Sequence, residues 1–166
     1  KQQLIQFLTS LIYIEHFKVI NRILDYFVEK ISDKGKKNLL HNGYPKPIKW
    51  DEIEKLSKNP IISFQSHSVT HTAVSSLSEH EIEDEMIKSK KIIEQHTGQK
   101  VHSFCYPYGT EKSIGVYAPK IAAKHYNSAV TLMRGRLKKN NSYYLPRIDF
   151  YNDDSPGFVR LKVILN

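Results

Sequence analysis

The stretch IISFQSHSVTH, residues 61–71, decides how this chain is read. A short apolar run ends in a polar loop, and the loop places His67 and His71 four residues apart. An apolar run bounded by turn formers reads as a short buried strand. A neutral imidazole is a good zinc ligand, and two of them in one turn can converge on one ion. The same spacing fits two polar loop residues hydrogen-bonded to nearby backbone. Ser66, Ser68 and Thr70 fit either reading, as hydroxyls that orient the imidazoles or as parts of a plain turn.

The clearest helix of the chain follows the loop. Ser78 and Glu81 form a capping box, and Leu77 and Ile82 can close over it as a hydrophobic staple. Ile82, Met86 and Ile93 supply the buried stripe, with Gly98 placed to cap the C-terminus. VHSFCYPYG then reads as strand and turn, YAPKIAAKHY as helix, SAVTL as strand and YYLPRIDF as a last strand. Upstream, LIYI reads as strand, HFKVINRILDYFVEKI as helix, residues 32–47 as a surface excursion, and WDEIEKL as a helix with Trp50, Ile53 and Leu56 on one face. Asn59 and Pro60 stop that helix. Strands alternating with helices predict an α/β fold with a mainly parallel sheet or barrel. In such folds functional groups gather where strands end, so SHSVTH and CYPYG are expected to open onto the same face.

The 166 residues suffice for one domain with a real core, and 40% hydrophobic with 25% charged residues are values of a globular chain. The net charge of +8 admits acidic partners. The lysines lie scattered or in short clusters such as DKGKK and KSKK, as on a solvated surface, and no nucleic-acid motif accompanies them. Cys105 is the single cysteine, which excludes an internal disulfide and a multi-cysteine zinc site. The apolar stretch LIQFLTSLIYI is broken by Gln6, Thr9 and Ser10. It is too short to span a bilayer and carries no cleavage signal.

Two further constellations carry possible chemistry. In FCYPYG, Pro107 fixes its own φ and Gly109 permits a tight exit, so the turn can aim a backbone N–H at an oxyanion or simply end a strand among packed tyrosines. In LPRIDF, Arg147 lies in an apolar strand, where burial calls for a carboxylate partner, either in a structural ion pair or in a site. His102 opens a strand, and His125 reads as a surface residue at a helix end.

The order of these features, SHSVTH after a strand, then the capped helix with its SKKIIE core, then FCYPYG, then LPRI, resembles the polysaccharide deacetylases, the NodB-homology domain of carbohydrate esterase family four. The resemblance is strongest over residues 50–148 of a single domain, 1–166. It implies a distorted (β/α) barrel that removes N-acetyl groups from polysaccharide. A divalent ion, usually zinc, is held there by one aspartate and the two histidines of an H-[ST]-x-x-H motif, with a second aspartate as general base. The resemblance assigns His67 and His71 as metal ligands, Tyr108 as a backbone contact to the oxyanion, and Arg147 as a residue that orients the base.

The family's T-F-D-D-G motif has no counterpart here. Asp153 and Asp154 lie instead in YNDDSPG, read as a turn after the last strand. If LIYI corresponds to the family's second strand, the barrel is incomplete at its N-terminal strand and the missing motif falls upstream of Lys1. Cys105 stands where an arginine often opens the third motif, and no histidine follows His125 to supply a late general acid. Two readings follow: a metal-dependent deacetylase whose activity is impaired without its aspartates, or a non-catalytic relative that binds glycan. The family's usual substrates suggest the cell surface or the extracellular space.

Overall fold

The computed structural model describes residues 47–137, 141–150 and 153–164, together with Arg22, Tyr26, Glu29 and Lys30. Those four are helical, as expected of HFKVINRILDYFVEKI, whereas LIYI and residues 32–46 lie outside the described residues. Five α-helices, a short 3-10 helix (Val74–Ser76) and two strands follow among the described residues: α1 (Trp50–Leu56), α2 (Glu79–Thr97), β1 (Ser103–Cys105), α3 (Glu111–Ile114), α4 (Ala118–His125), β2 (Ser128–Val130) and α5 (Pro156–Ile164).

The sequence seals α2 at both ends. The Ser78 side chain accepts the Glu81 N–H, and the Glu81 carboxylate accepts the Ser78 N–H at 3.0 Å, which satisfies two orphan donors of the first turn. Gly98 ends the helix in the left-handed region at φ 66°. Leu77, Ile82 and Met86 are buried in the core, and Ile93 packs against it, as the stripe predicts. Phe104 and Tyr106 around β1 and Ile121, Ala122 and Tyr126 around α4 join them in that core. The Tyr126 hydroxyl donates to the Met86 carbonyl at 2.7 Å, so the ring is buried without an unpaired polar atom.

Four chain segments run side by side and parallel, in sequence order. Ser66 bridges Phe104, β1 pairs with β2 in the register Phe104 to Ala129, and Val130 bridges Leu145. The helix α2 connects the first segment to the second, and α4 connects the second to the third. This is the right arrangement for an α/β fold, although the described residues form an open arc and not a closed barrel.

The strands are shorter than the sequence predicts, for identifiable reasons. IISF is not a strand: Ile61 is exposed, and the Phe64 N–H donates to the side chain of Gln99 rather than to a neighbouring strand. Only Ser66 reaches the ladder, with its N–H on the Ser103 carbonyl and its own carbonyl accepting the Cys105 N–H. YYLPRIDF is reduced to the bridge at Leu145: the next donor in register, the Arg147 N–H, goes to the Met133 carbonyl, and the Thr131 carbonyl it would meet accepts the Arg147 side chain instead. The face of α1 that carries Trp50, Ile53 and Leu56 is only partly covered: Ile53 is half-buried, Trp50 and Leu56 are each 40% exposed, and Trp50 stacks on His96 with ring centroids 4.0 Å apart. Within YNDDSPG, the described residues 153–157 form a turn and a helix start. The Ser155 hydroxyl accepts the Phe158 N–H at 3.3 Å and Pro156 opens α5. Asp154 holds Lys162 of that helix at 2.6 Å.

Two predictions follow from the packing. Gly109 has φ 59°, and a Cβ there would lie 2.4 Å from the Leu132 nitrogen, whose N–H donates to the Gly109 carbonyl. Gly109→Ala is expected to cost more than the roughly 1–2 kcal/mol of a left-handed residue alone, read as a lower urea midpoint. Glu83 of α2 meets His125 of α4 at 2.6 Å, and that hydrogen bond holds its carboxyl below the ordinary 4.5. A carboxyl depressed in the folded state stabilises above its unfolded pKa and ceases to do so as pH falls through its folded value. The melting-temperature gap between the wild type and Glu83→Gln should therefore be present at neutral pH and close on acidification below 4.5.

Candidate metal centre

Each of the four parallel segments leads at its C-terminal end into residues of one rim. Ser66 is followed by His67, Cys105 by the turn through Tyr108, Val130 by Thr131, and Leu145 by Arg147. SHSVTH and CYPYG thus open onto one face, as expected. The rings of His67 and His71 lie edge to face with centroids 4.8 Å apart, and His71 meets Tyr108 in the same way at 4.9 Å. Both histidines are exposed and Tyr108 is half-buried, so the cluster sits at the surface of the rim.

The backbone that brings these rings together is strained. Ser68, His71 and Tyr108, at φ 67°, 57° and 60°, are the non-glycine residues with positive φ among the described residues. All three belong to the two loops of the cluster. The Ser68 hydroxyl accepts the His71 N–H at 3.0 Å and tightens the first loop. A carboxylate from α2 fixes it further: Glu85 Oε2 accepts the N–H groups of Val69 and Thr70 at 2.8 and 2.9 Å. One turn on, the Ser89 hydroxyl meets the Ser66 hydroxyl at 2.5 Å, with both residues buried. None of these hydroxyls holds an imidazole: Ser68 holds backbone, while those of Ser66 and Thr70 pair with the hydroxyls of Ser89 and Thr72, the latter at 2.7 Å.

The imidazole of His67 is held by another group. Its Nδ1 lies 2.7 Å from the Cys105 carbonyl oxygen, which can only accept, so Nδ1 carries the proton and Nε2 is left as the available donor atom. Contact with Cys105 raises the His67 pKa above 6.5 against the opposing effect of burial. Burial, and then the neighbouring His67, lower that of His71, which favours the neutral form that binds metal. Burial pushes the Cys105 thiol up, but His67 and Arg147 outweigh it and leave the thiol below its usual value.

Arg147 is half-buried, but a carboxylate is not what holds it among the described residues. Its Nε donates to the Thr131 carbonyl at 2.6 Å, and its guanidinium bears on the Cys105 thiol. A strand-end carbonyl does the work expected of an acid, because Thr131 and Arg147 follow adjacent paired segments. His102 is exposed, and His125 pairs with Glu83 at the α2–α4 contact, so neither joins the cluster. Asp153 and Asp154 also stay apart from it: among the described residues no group of three or more His, Cys, Asp and Glu side chains gathers to hold an ion.

The donor chemistry of the pair suits zinc in kind, with one imidazole tautomer fixed by a carbonyl, and it supplies two of the three protein ligands that a catalytic zinc usually has. Neither Glu85 nor the Cys105 carbonyl was among the residues singled out from the sequence. One signal was available: Ser89 falls on the buried stripe of α2, at helical spacing from Ile82, Met86 and Ile93, where a polar residue needs a partner.

Parallel, helix-connected segments with the histidine pair at their C-terminal rim define a class, the α/β proteins. The chain belongs to the polysaccharide deacetylase family, whose model matches residues 23–129. Among solved structures it resembles BC0361, a polysaccharide deacetylase from Bacillus cereus, at 20% identity and a TM-score of 0.64, over 73% of this chain and 38% of that one. It also resembles the deacetylase PplD from Streptococcus pyogenes, solved in complex with acetate, at 24% identity and a TM-score of 0.63, over 75% of this chain and 54% of that one. These likenesses are of fold, the (β/α) barrel of the polysaccharide deacetylases, and the chain spans about half or less of those proteins. No curated protein sequence matches it.

The loop clamp makes a prediction that needs no activity. In Glu85→Ala the amides of Val69 and Thr70 should exchange with deuterium at least about tenfold faster, since each loses a hydrogen bond to a charged acceptor. Both bonds go to one oxygen, so Glu85→Gln should retain most of the protection. Unchanged exchange in Glu85→Ala would show that the carboxylate does not hold the loop.

Proposed function

We propose that this chain carries the histidine part of a zinc-dependent centre that removes N-acetyl groups from an acetylated polysaccharide. The observation that carries this reading is the clustering of strain: Ser68, His71 and Tyr108 are held left-handed in the two loops that bear the histidine pair and the proline-tyrosine turn. Each such residue costs on the order of 1–3 kcal/mol and persists where the surroundings enforce it, characteristically at functional sites. Membership of the polysaccharide deacetylase family supports the substrate class. The acetate bound to PplD is in keeping with the product. The open arc is read as one side of the distorted barrel, and the family's substrates point to the cell surface or the extracellular space.

In this reading His67, through Nε2, and His71 hold the ion. Zinc bound there supplies a Lewis acid that polarises the acetyl carbonyl and lowers the pKa of water. The chain's own residues orient and stabilise. The Cys105 carbonyl keeps His67 in the tautomer that presents Nε2. Tyr108, beside His71, donates its backbone N–H to the acetyl oxygen as negative charge develops on it. Arg147, anchored on the Thr131 carbonyl, keeps a positive charge beside Cys105 and orients the carboxylate that acts as base. The water oxygen bonds to the acetyl carbon, the C–N bond breaks, and the sugar nitrogen takes up a proton to leave acetate and a free amine. The third ligand and the base are assigned to no described residue.

The test joins metal content to acetate release. The zinc-loaded chain should hold about one zinc, and His67→Ala should weaken zinc binding by more than the roughly 10–100-fold typical of losing an outer-shell partner. Acetate should be released from N-acetylglucosamine oligomers, and a chelator should abolish that release. Zinc-independent acetate release, or zinc binding unchanged in His67→Ala, would overturn the proposal. Glycan binding with zinc but without acetate release would favour a non-catalytic relative.

A further inference from the structure

A pocket opens at the C-terminal end of β2. It has a volume of about 270 Å³, and its lining includes Thr131, Arg134, Arg136, Asn141 and Tyr144. Its position is fixed by the strand ends. Thr131 directly follows β2, and the Leu132 N–H donates to the Gly109 carbonyl at 2.8 Å. Gly109 follows Tyr108, whose ring meets His71. The pocket therefore begins within a few residues of the contact between the two loops of the metal centre.

Its chemistry is one-sided. Arg134 and Arg136, separated by one glycine, share the pocket, and among the described residues no Asp or Glu lines it. Glu111 acts on the Tyr144 hydroxyl but is not part of the lining. Both arginines are exposed, and the ion pairs of the described residues involve lysines and histidines and neither of these arginines. A solvated basic surface needs no concavity. Here two exposed arginines line a recess together with Asn141 and Tyr144, side chains able to donate to a carboxylate or phosphate.

We propose that this pocket binds an anionic group, a carboxylate or a phosphate, carried by the polysaccharide on the sugars beside the one that is deacetylated. The proposal rests on the deacetylase reading of the neighbouring centre for its choice of a glycan, and its test is one of binding alone. Calorimetric titrations would compare three probes of matched length: a neutral N-acetylglucosamine hexamer, a hyaluronan hexasaccharide that carries carboxylates, and a phosphorylated N-acetylglucosamine hexamer. The wild-type chain should prefer an anionic probe over the neutral one, and the preference should weaken with added salt. Which anionic probe binds more tightly separates carboxylate from phosphate.

In Arg134→Gln/Arg136→Gln the anionic-to-neutral affinity ratio should fall about tenfold or more, the size expected for lost hydrogen bonds to a charged group. Arg134→Lys/Arg136→Lys, which keeps the charge but not the fork, should retain part of the preference. Equal affinity for neutral and anionic probes, or a ratio unchanged in the glutamine variant, would overturn the proposal. Acetate release from the neutral hexamer with no anionic preference would refute this pocket and leave the deacetylase reading standing. An arginine-dependent preference without acetate release from any probe would do the reverse.

Discussion

A carboxylate on α2, Glu85, accepts two successive amides of the loop that carries His67 and His71. One turn further along the same helix, Ser89 meets Ser66 at the start of that loop. The capped helix thus does more than cover the sheet. Its apolar stripe, with Ile82 and Met86, sets its depth in the core, and its polar residues on the adjoining surface dictate the path of the loop. That clamp, together with the Ser68 hydroxyl on the His71 N–H, holds the loop in the conformation that leaves Ser68 and His71 left-handed.

The second loop is fixed from the opposite side. Gly109 pairs with Leu132 across a gap that a Cβ could not enter, and Tyr106 is buried with its hydroxyl on the Tyr143 carbonyl at 3.0 Å. Tyr108 is thereby presented to His71 by a turn whose two flanks cannot move. The Cys105 carbonyl, at the end of β1, then selects the nitrogen that His67 can offer. Helix, strand and turn each contribute one constraint, and the site is where the three coincide.

The features legible in the sequence were those that depend on neighbours along the chain. The capping box of Ser78 and Glu81, the buried stripe of α2, the helix over residues 118–125 and the histidine pair all read from local spacing. What could not be read depends on partners far away in sequence. Gln99 diverts Phe64 from the ladder over a separation of 35 residues, so IISF has the composition of a strand without the pairing. Arg147 looked for an acid and found the carbonyl of Thr131, because the register of β2 against Leu145 decides what lies beside it. The helix α5 was legible in part, since Ser155 and Pro156 form a helix start. The acidic pair before them drew attention instead to a motif that the fold does not place near the histidines.

The account stands on His67 presenting Nε2 to a metal while Nδ1 stays protonated against Cys105. Long-range nitrogen–proton NMR of the imidazoles, recorded before and after addition of zinc, reads both atoms directly. The account predicts that Nδ1 of His67 carries a proton in both spectra, that its Nε2 moves to the position of a coordinated nitrogen, and that His71 responds at the same stoichiometry. A coordinated Nδ1 on His67, or two imidazoles unchanged by zinc, would contradict it.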